Sequence, residues 1–326
     1  MKQPLMLFIA AALIAASPVG AQHDSATEKY PTRPIKLIVP TTAGSNPDQL
    51  ARLLGARLTA ATGQPVIIDN RPGAGGTIGL NAVATTAPDG YTLGMQTLPF
   101  VITPSMISKV PYDTERDLAT VTLVNWNYNV LVVPATSPIR SVADLVAHAR
   151  AKPETLKYSS AGIGTPSHLA LALLSNQVSI KLTHVPYKGG PASLAAVLAS
   201  EVDFAVGGVQ TLRPLIAAGK LRALATSAPH RLAVAPDLPT FSELGYTDVS
   251  LVDWHGIVAP AGTPKAIIDT LHGHISRVLA QPDMAPQLQS MGMEIAGLAP
   301  AEFALYQHRE IQKWSKLVRA AGITVD

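Results

Sequence analysis

The chain contains no cysteine. It therefore forms no disulfide and carries no lipid on an N-terminal cysteine, so its stability rests on its core. No run of about 18 uncharged apolar residues occurs, so no segment is long enough to cross a bilayer as a helix. The formal net charge is only +3, and no five basic residues stand together. That gives no nucleic-acid surface and at most a mild preference for anions. No Gly-x-Ser-x-Gly elbow is present. The stretch "NRPGAGGT" (70–77) lacks the Gly-Lys-Ser/Thr ending that a phosphate loop uses. No carboxylate pair stands where acid/base work would be expected. His230, His272, His274 and His308 show no metal-ligand spacing, and the two-residue step from His272 to His274 puts them on different helix faces. A secreted hydrolase or isomerase is thus a minor alternative, and neither a metal nor a cofactor is expected.

What is present is core material. Of 326 residues, 47% are apolar and 14% charged, enough for two ordinary domains. The first 21 residues stand apart. Lys2, an apolar run from Leu5 to Ala16 and small residues ending at Ala21 have the three-part layout of a secretory signal. The alternative is a buried N-terminal helix. Cleavage after Ala21 and a free periplasmic protein are the expectation.

Beyond this segment, strand and helix patterns alternate. Strands are expected at 33–40, 64–70 and 90–98, with helices at 47–62 and within 71–87. The pattern restarts after Asp117: strands at 129–135 and 156–162, a helix at 141–153 capped by Ser141, and further alternation to residue 227. A strand within 250–264 precedes helices at 265–281, 284–292 and 300–322. Such β-α-β alternation predicts parallel α/β sheets. The expected organisation is two α/β lobes with a hinge and a cleft between them. Lobe 1 comprises 28–125 plus 251–326, and lobe 2 comprises 126–250.

Two stretches share one design. "VPTTAGSNPDQLARLL" (39–54) and "YSSAGIGTPSHLALALL" (158–174) each pass from a strand through Ala-Gly and a polar turn to a proline and a Leu/Ala-rich helix. Asn46 and Thr165 are the expected caps, with Pro47 and Pro166 just inside. Gly44, Gly162 and Gly164 let the backbone bend and admit a ligand close to it. A helix start offers unpaired N–H groups and about half a positive charge, which suits a carboxylate. In parallel α/β sheets these turns lie at the strand carboxyl ends, where ligands bind. The two are expected to be opposing jaws of a small-anion site. Good capping chemistry alone is the plainer reading of either turn.

The sequence also resembles the extracytoplasmic solute receptors of tripartite tricarboxylate transporters, the Bug receptors. The matching text includes "YPTRPIKLIVPTTAGSNPDQLARLL", "GQPVIIDNRPGAGGTIGLNAVATTAPDGYTL", "HVPYKGGPASLAAVLASEVDFAV" and "WHGIVAPAGTP". The resemblance implies a type II-like periplasmic-binding-protein fold, hinge closure on a small organic acid and handover to a two-component membrane permease by a monomeric receptor. A ligand sensor for a membrane signalling protein is the alternative. Carried onto this chain, the ligand-binding set is Thr42, Ala43, Gly44, Ser45 and Asp48 in one lobe. In the other it is Ser160, Ala161, Gly162, Gly164, Thr165, His168, Tyr187 and Gly207, with Trp254 near the crossover.

Some of these residues have two readings. Asp48 would repel a carboxylate and better stabilises the helix start. His168 either donates to a ligand or packs against the next strand. Tyr187 and Trp254 line the cleft or join the core. Gly207-Gly208 stands where relatives often carry a polar pair, so an enlarged pocket is expected there. Leu98, Pro99 and Phe100 replace small polar residues. Together these suggest an acid with an apolar body, aromatic or dicarboxylate.

Overall fold

The computed structural model describes residues 30–106, 109–247 and 252–321. The expected signal segment lies outside them. In chain order the elements of the first half are β1 (Ile35–Val39), α1 (Asn46–Thr62), β2 (Val66–Asn70), α2 (Thr77–Ala84), β3 (Thr92–Thr97), α3 (Leu98–Ile102), β4 (Leu118–Asn127), β5 (Asn129–Pro134), α4 (Val142–Ala151), β6 (Lys157–Ser160) and α5 (Pro166–Gln177). The second half has β7 (Thr183–Pro186), α6 (Gly190–Leu198), β8 (Phe204–Gly208), α7 (Val209–Ala217), β9 (Leu221–Thr226), β10 (Asp253–Pro260), α8 (Lys265–Leu279), α9 (Met284–Ser290), β11 (Met293–Leu298) and α10 (Pro300–Ala321).

The strands form two sheets, ordered β11-β4-β10-β3-β1-β2 and β7-β6-β8-β5-β9. In the first, β1, β2 and β3 run parallel while β10 is antiparallel to both β3 and β4. In the second, β6, β7 and β8 are parallel and β5 is antiparallel to β8 and β9. Helices pack on these sheets, so this is the two-lobed α/β architecture the alternation predicts. The chain passes from the first sheet to the second between Asn127 and Asn129, and β10 returns it to the first.

Amphipathic patterning explains the packing. Helix α1 buries Leu50, Ala51, Leu54 and Leu58, each leucine contributing roughly 1.5–3 kcal/mol relative to exposure. They meet Leu37, Met95, Ile257, Leu271 and Ile275 in the core of the first lobe. A second buried cluster holds residues of both lobes, among them Leu80, Val258 and Phe303 from the first and Leu131, Leu171 and Phe204 from the second. Ser141 caps α4 as expected, accepting the N–H of Asp144 at 3.0 Å.

Three elements escape a reading of pattern. Strand β4 contains Thr120, Thr122, Asn125 and Asn127, polar residues that blur a strand signal. It lies between β10 and β11, and seven of its ten residues are buried. Strand β11 is half-buried at an edge. "LPFVI", which overlaps the expected strand at Leu98, is the short helix α3, with Pro99 in its first turn, a position proline suits.

Candidate functional site

Strands β1 and β6 each end in a four-residue turn that starts a helix. The Ser45 N–H donates to the Thr42 carbonyl at 3.2 Å, and the Thr165 N–H to the Gly162 carbonyl at 3.3 Å. Gly44 (φ 81°) and Gly164 (φ 76°) hold the third position of these turns, where a left-handed backbone favours glycine. Ser45 (φ −69°, ψ 162°) and Thr165 (φ −73°, ψ 158°) are the extended residues before each helix. The cap of α1 is therefore Ser45 rather than the expected Asn46, because the turn fixes Ser45 in the extended conformation and Asn46 becomes the first helical residue.

The third helical residue then reaches back. Asp48 Oδ2 accepts the Gly44 N–H at 2.8 Å, and His168 Nδ1 accepts the Gly164 N–H at 3.1 Å. Asp48 also accepts from Arg52 Nε at 3.0 Å and Asn70 Nδ2 at 2.9 Å, and is only 2% exposed. Burial pulls its carboxyl upward, but the bonds from Arg52, Gly44 and Asn70 outweigh it and hold the group below its ordinary value. Its oxygens are thus committed to bracing the turn. His168 stacks on His184 with ring centroids 4.2 Å apart, and His184 stacks in turn on Tyr158 at 4.8 Å. Burial, then the neighbouring His184, push His168 down to about 4. It is neutral at pH 7, as an accepting Nδ1 requires.

With Gly44 and Gly164 N–H groups spent in this way, the open donors lie one step further on. The N–H groups of Asn46 and Asp48, and of Ser167 and His168, have no acceptor among the described residues. These are the groups a helix start presents to an anion. The loops behind them are held firmly. Ala161 N–H donates to Ser167 Oγ at 3.1 Å, and Ser160 Oγ meets His184 Nε2 at 2.7 Å. Thr165 Oγ1 donates to the Gly162 carbonyl at 2.7 Å, and Ser45 Oγ meets Thr41 Oγ1 at 2.7 Å. Thr42, Ala43 and Gly44 remain exposed.

Each turn also abuts the opposite lobe. Asn46 Nδ2 lies 2.6 Å from the place a Cβ on Gly208 would take, and a Cβ on Gly164 would stand 2.9 Å from Met106 Sδ. Gln210 Nε2 donates to Gln49 Oε1, and Gln49 Nε2 donates to the Gly44 carbonyl at 2.9 Å. One side-chain relay therefore links the turn of the first lobe to the start of α7 in the second.

Several expected residues sit differently. A Cβ on Gly207 would face Leu212 at 3.4 Å; it is Gly208 that meets the other lobe. The space expected above this pair is taken by Asn46. Trp254 is fully buried, edge-on to Phe303 at 5.5 Å and to Tyr306 at 6.0 Å, and belongs to the core. The Tyr187 phenol reaches Glu201 at 3.3 Å, so what Tyr187 gives the turn is its backbone N–H, donated to the Ser160 carbonyl at 3.0 Å. Leu98 and Phe100 are core residues, so they give the cleft no apolar wall. Pattern reading missed Asn46 as a lobe-facing side chain, together with Gln49, Met106 and Gln210. Asn46 and Gln49 stand in the quoted stretch 39–54, and Met106 and Gln210 in no quoted motif. Two large cavities, of about 780 and 870 Å³, lie elsewhere, one beside His272 and Gln307 and one beside Arg213 and Leu244. No cluster of three or more His, Asp or Glu that would hold a metal occurs among the described residues.

Residues 50–323 match the model of the tripartite tricarboxylate transporter family receptor. The chain belongs to this receptor family. It is 33% identical to protein BugT of Bordetella pertussis over 318 residues, covering 97% of this chain and 95% of BugT. Among solved structures it resembles Rpa4515 of R. palustris with adipate (33% identity, TM-score 0.84, 90% of this chain and 99% of that one). It also resembles MatC of Rhodopseudomonas palustris with bound malate (30% identity, TM-score 0.80, 89% and 100%). It resembles, too, BugD, described as a periplasmic binding protein (29% identity, TM-score 0.82, 90% of this chain and 99% of that one), and shares its fold.

Proposed function

We propose that this receptor captures a small organic carboxylate between the starts of α1 and α5 and delivers it to a two-component membrane permease. The observation that carries this reading is the paired turn: the same hydrogen bonds, the same left-handed glycine and the same reach-back occur once in each lobe. Each turn leaves open helix N–H groups beside the other lobe. The donors and helix dipoles together favour an anion without a committed Lys or Arg. Relatives described with adipate and malate support a carboxylate.

The mechanism is binding, not bond-making. In the open form both helix starts face water. A carboxylate bridging them favours the closed form by its differential affinity for it, and the permease reads that closed form. The lobes proposed are 28–125 with 251–326, and 126–250, moving about the crossings near Tyr128 and before β10. The receptor is proposed to act in the periplasm after cleavage following Ala21, as a monomer. Native mass spectrometry of protein purified from its own host tests this: a co-purified organic acid is the expected result. Absence of any acid, together with no thermal shift across a panel of mono- and dicarboxylates, would overturn it.

A further inference from the structure

Strand β9 closes the second sheet and has β5 on one side only. On its free side the chain covers it at one place. There the Thr226 N–H donates to the Pro239 carbonyl and the Phe241 N–H to the Thr226 carbonyl, each at 3.0 Å. Before that point, Leu221, Arg222, Ala223 and Leu224 line the cavity of about 870 Å³. Among the described residues, the backbone groups of these four bond to β5 alone. In an antiparallel pair every second residue turns its N–H and C=O away from the neighbouring strand. Part of this stretch is therefore an unpaired strand edge facing a groove. Open edges are usually blunted by charge, proline or a covering element; here the cover reaches Thr226 and stops.

The rest of the lining is apolar with basic points. Helix α7 contributes Val209, Arg213, Ile216 and Ala217, whose spacing of i, i+4, i+7 and i+8 puts them on one face. The segment 234–246 contributes half-buried Leu238 and Leu244, which is 40% exposed. Three arginines and one aspartate line the groove, a surplus of two positive charges. Arg222 is committed: its guanidinium donates to the carbonyls of Ala135, Ser137 and Ile139 at 2.8, 3.0 and 3.1 Å. Arg140 and Arg213 are exposed, and their side chains make no ion pair or hydrogen bond among the described residues. A guanidinium fork matches a carboxylate in paired geometry.

We propose that this groove docks an extended, acidic segment of a partner protein as an added strand on β9. The guest backbone takes up the free edge groups, which a small molecule or a helix would leave unpaired, and strand addition is a known mode of peptide capture. Its apolar side chains lie against Ile216, Leu238 and Leu244, and its carboxylates pair with Arg140 and Arg213. The free stretch sets the length: at about 3.3 Å per residue, residues 221–224 offer roughly 13 Å of contact. All the lining residues lie between Val130 and Tyr246, and none belongs to the paired turns. The surface is therefore separate from the carboxylate site and stands or falls independently of it.

Panning a phage-displayed library of random linear heptapeptides on the full mature chain tests it. Arg140→Glu/Arg213→Glu is the counter-target, and Leu244→Asp, at the exposed rim, is a second variant that leaves the arginines in place. Enriched sequences are expected to carry Asp or Glu among alternating apolar residues. The best of them, synthesised, should bind about tenfold more weakly to either variant, the scale of losing charge-assisted or buried apolar contacts. On binding, hydrogen exchange should slow at N–H groups within 221–224. No enrichment over the counter-target, selection of basic or uncharged sequences, or equal binding to both variants would overturn the proposal. So would protection confined to α7 or to the turns before α1 and α5.

Discussion

His168 Nδ1 accepts the N–H of Gly164 at 3.1 Å, as Asp48 Oδ2 accepts that of Gly44 at 2.8 Å. The same brace is built with two different acceptors. One titrates far below neutrality, and the other is a base held neutral by burial, which makes their acid responses separable.

The His168 brace predicts loss of stability in acid. Its folded pKa is depressed to about 4 by burial and by His184, against about 6.5 when unfolded. The unfolded chain therefore takes up the proton first as pH falls below 6.5. Stability from the neutral ring is present above 6.5 and declines toward 4, by up to about 1.4 kcal/mol per pH unit for each such proton. His255, fully buried and pushed down to about 3, adds to the same slope. Urea midpoints measured from pH 7 to pH 4.5 should fall. In His168→Asn, which keeps an acceptor but no titrating ring, the slope should be shallower by about one proton.

Removing the carboxylate brace should be more damaging than an ordinary surface change. Asp48→Ala removes the buried acceptor of the Gly44 N–H, of Arg52 Nε and of one Asn70 amide hydrogen. The expected loss is roughly 1–3 kcal/mol, read as a lowered urea midpoint with unchanged m-value. Acid affinity should weaken as well, since the turn that positions the α1 donors loses its anchor.

The two turn glycines should respond differently to alanine. Both need a left-handed backbone, so each substitution costs about 1–2 kcal/mol of strain. Gly44 has nothing within 4 Å of its added Cβ, whereas Gly164 would press on Met106 of the other lobe. Gly164→Ala should therefore weaken acid binding by more than its stability loss explains, and Met106→Ala should restore part of it. A double-mutant cycle on Kd with no coupling between the two would contradict this.

The relay from Gln210 through Gln49 to the Gly44 carbonyl spans the lobes. Gln210→Ala should remove one cross-lobe bond, worth about 1 kcal/mol, or roughly fivefold in Kd. The effect should lie mainly in the dissociation rate, measurable by stopped-flow tryptophan fluorescence.

Much of the repeated turn was legible in the sequence because its interactions are local. The glycine, the cap, the proline and the reach-back residue lie within a few positions, and helix-start chemistry limits which residue types fit. The alternation of apolar strands with amphipathic helices likewise implied two α/β units, since each pattern must bury its apolar face. The cap shifted by one residue, from Asn46 to Ser45, because cap preference alone does not distinguish two adjacent polar residues.

The chain by itself therefore determined the two helix starts and the layered fold around them. Tertiary structure alone decided what faces them: that Gly208 rather than Gly207 meets the opposing lobe, that Trp254 is core, and that Asn46 approaches Gly208. Those relations join residues far apart in the chain through strand register and lobe contact. A register step of one residue turns a side chain to the other face of its sheet, and no local spacing encodes that choice.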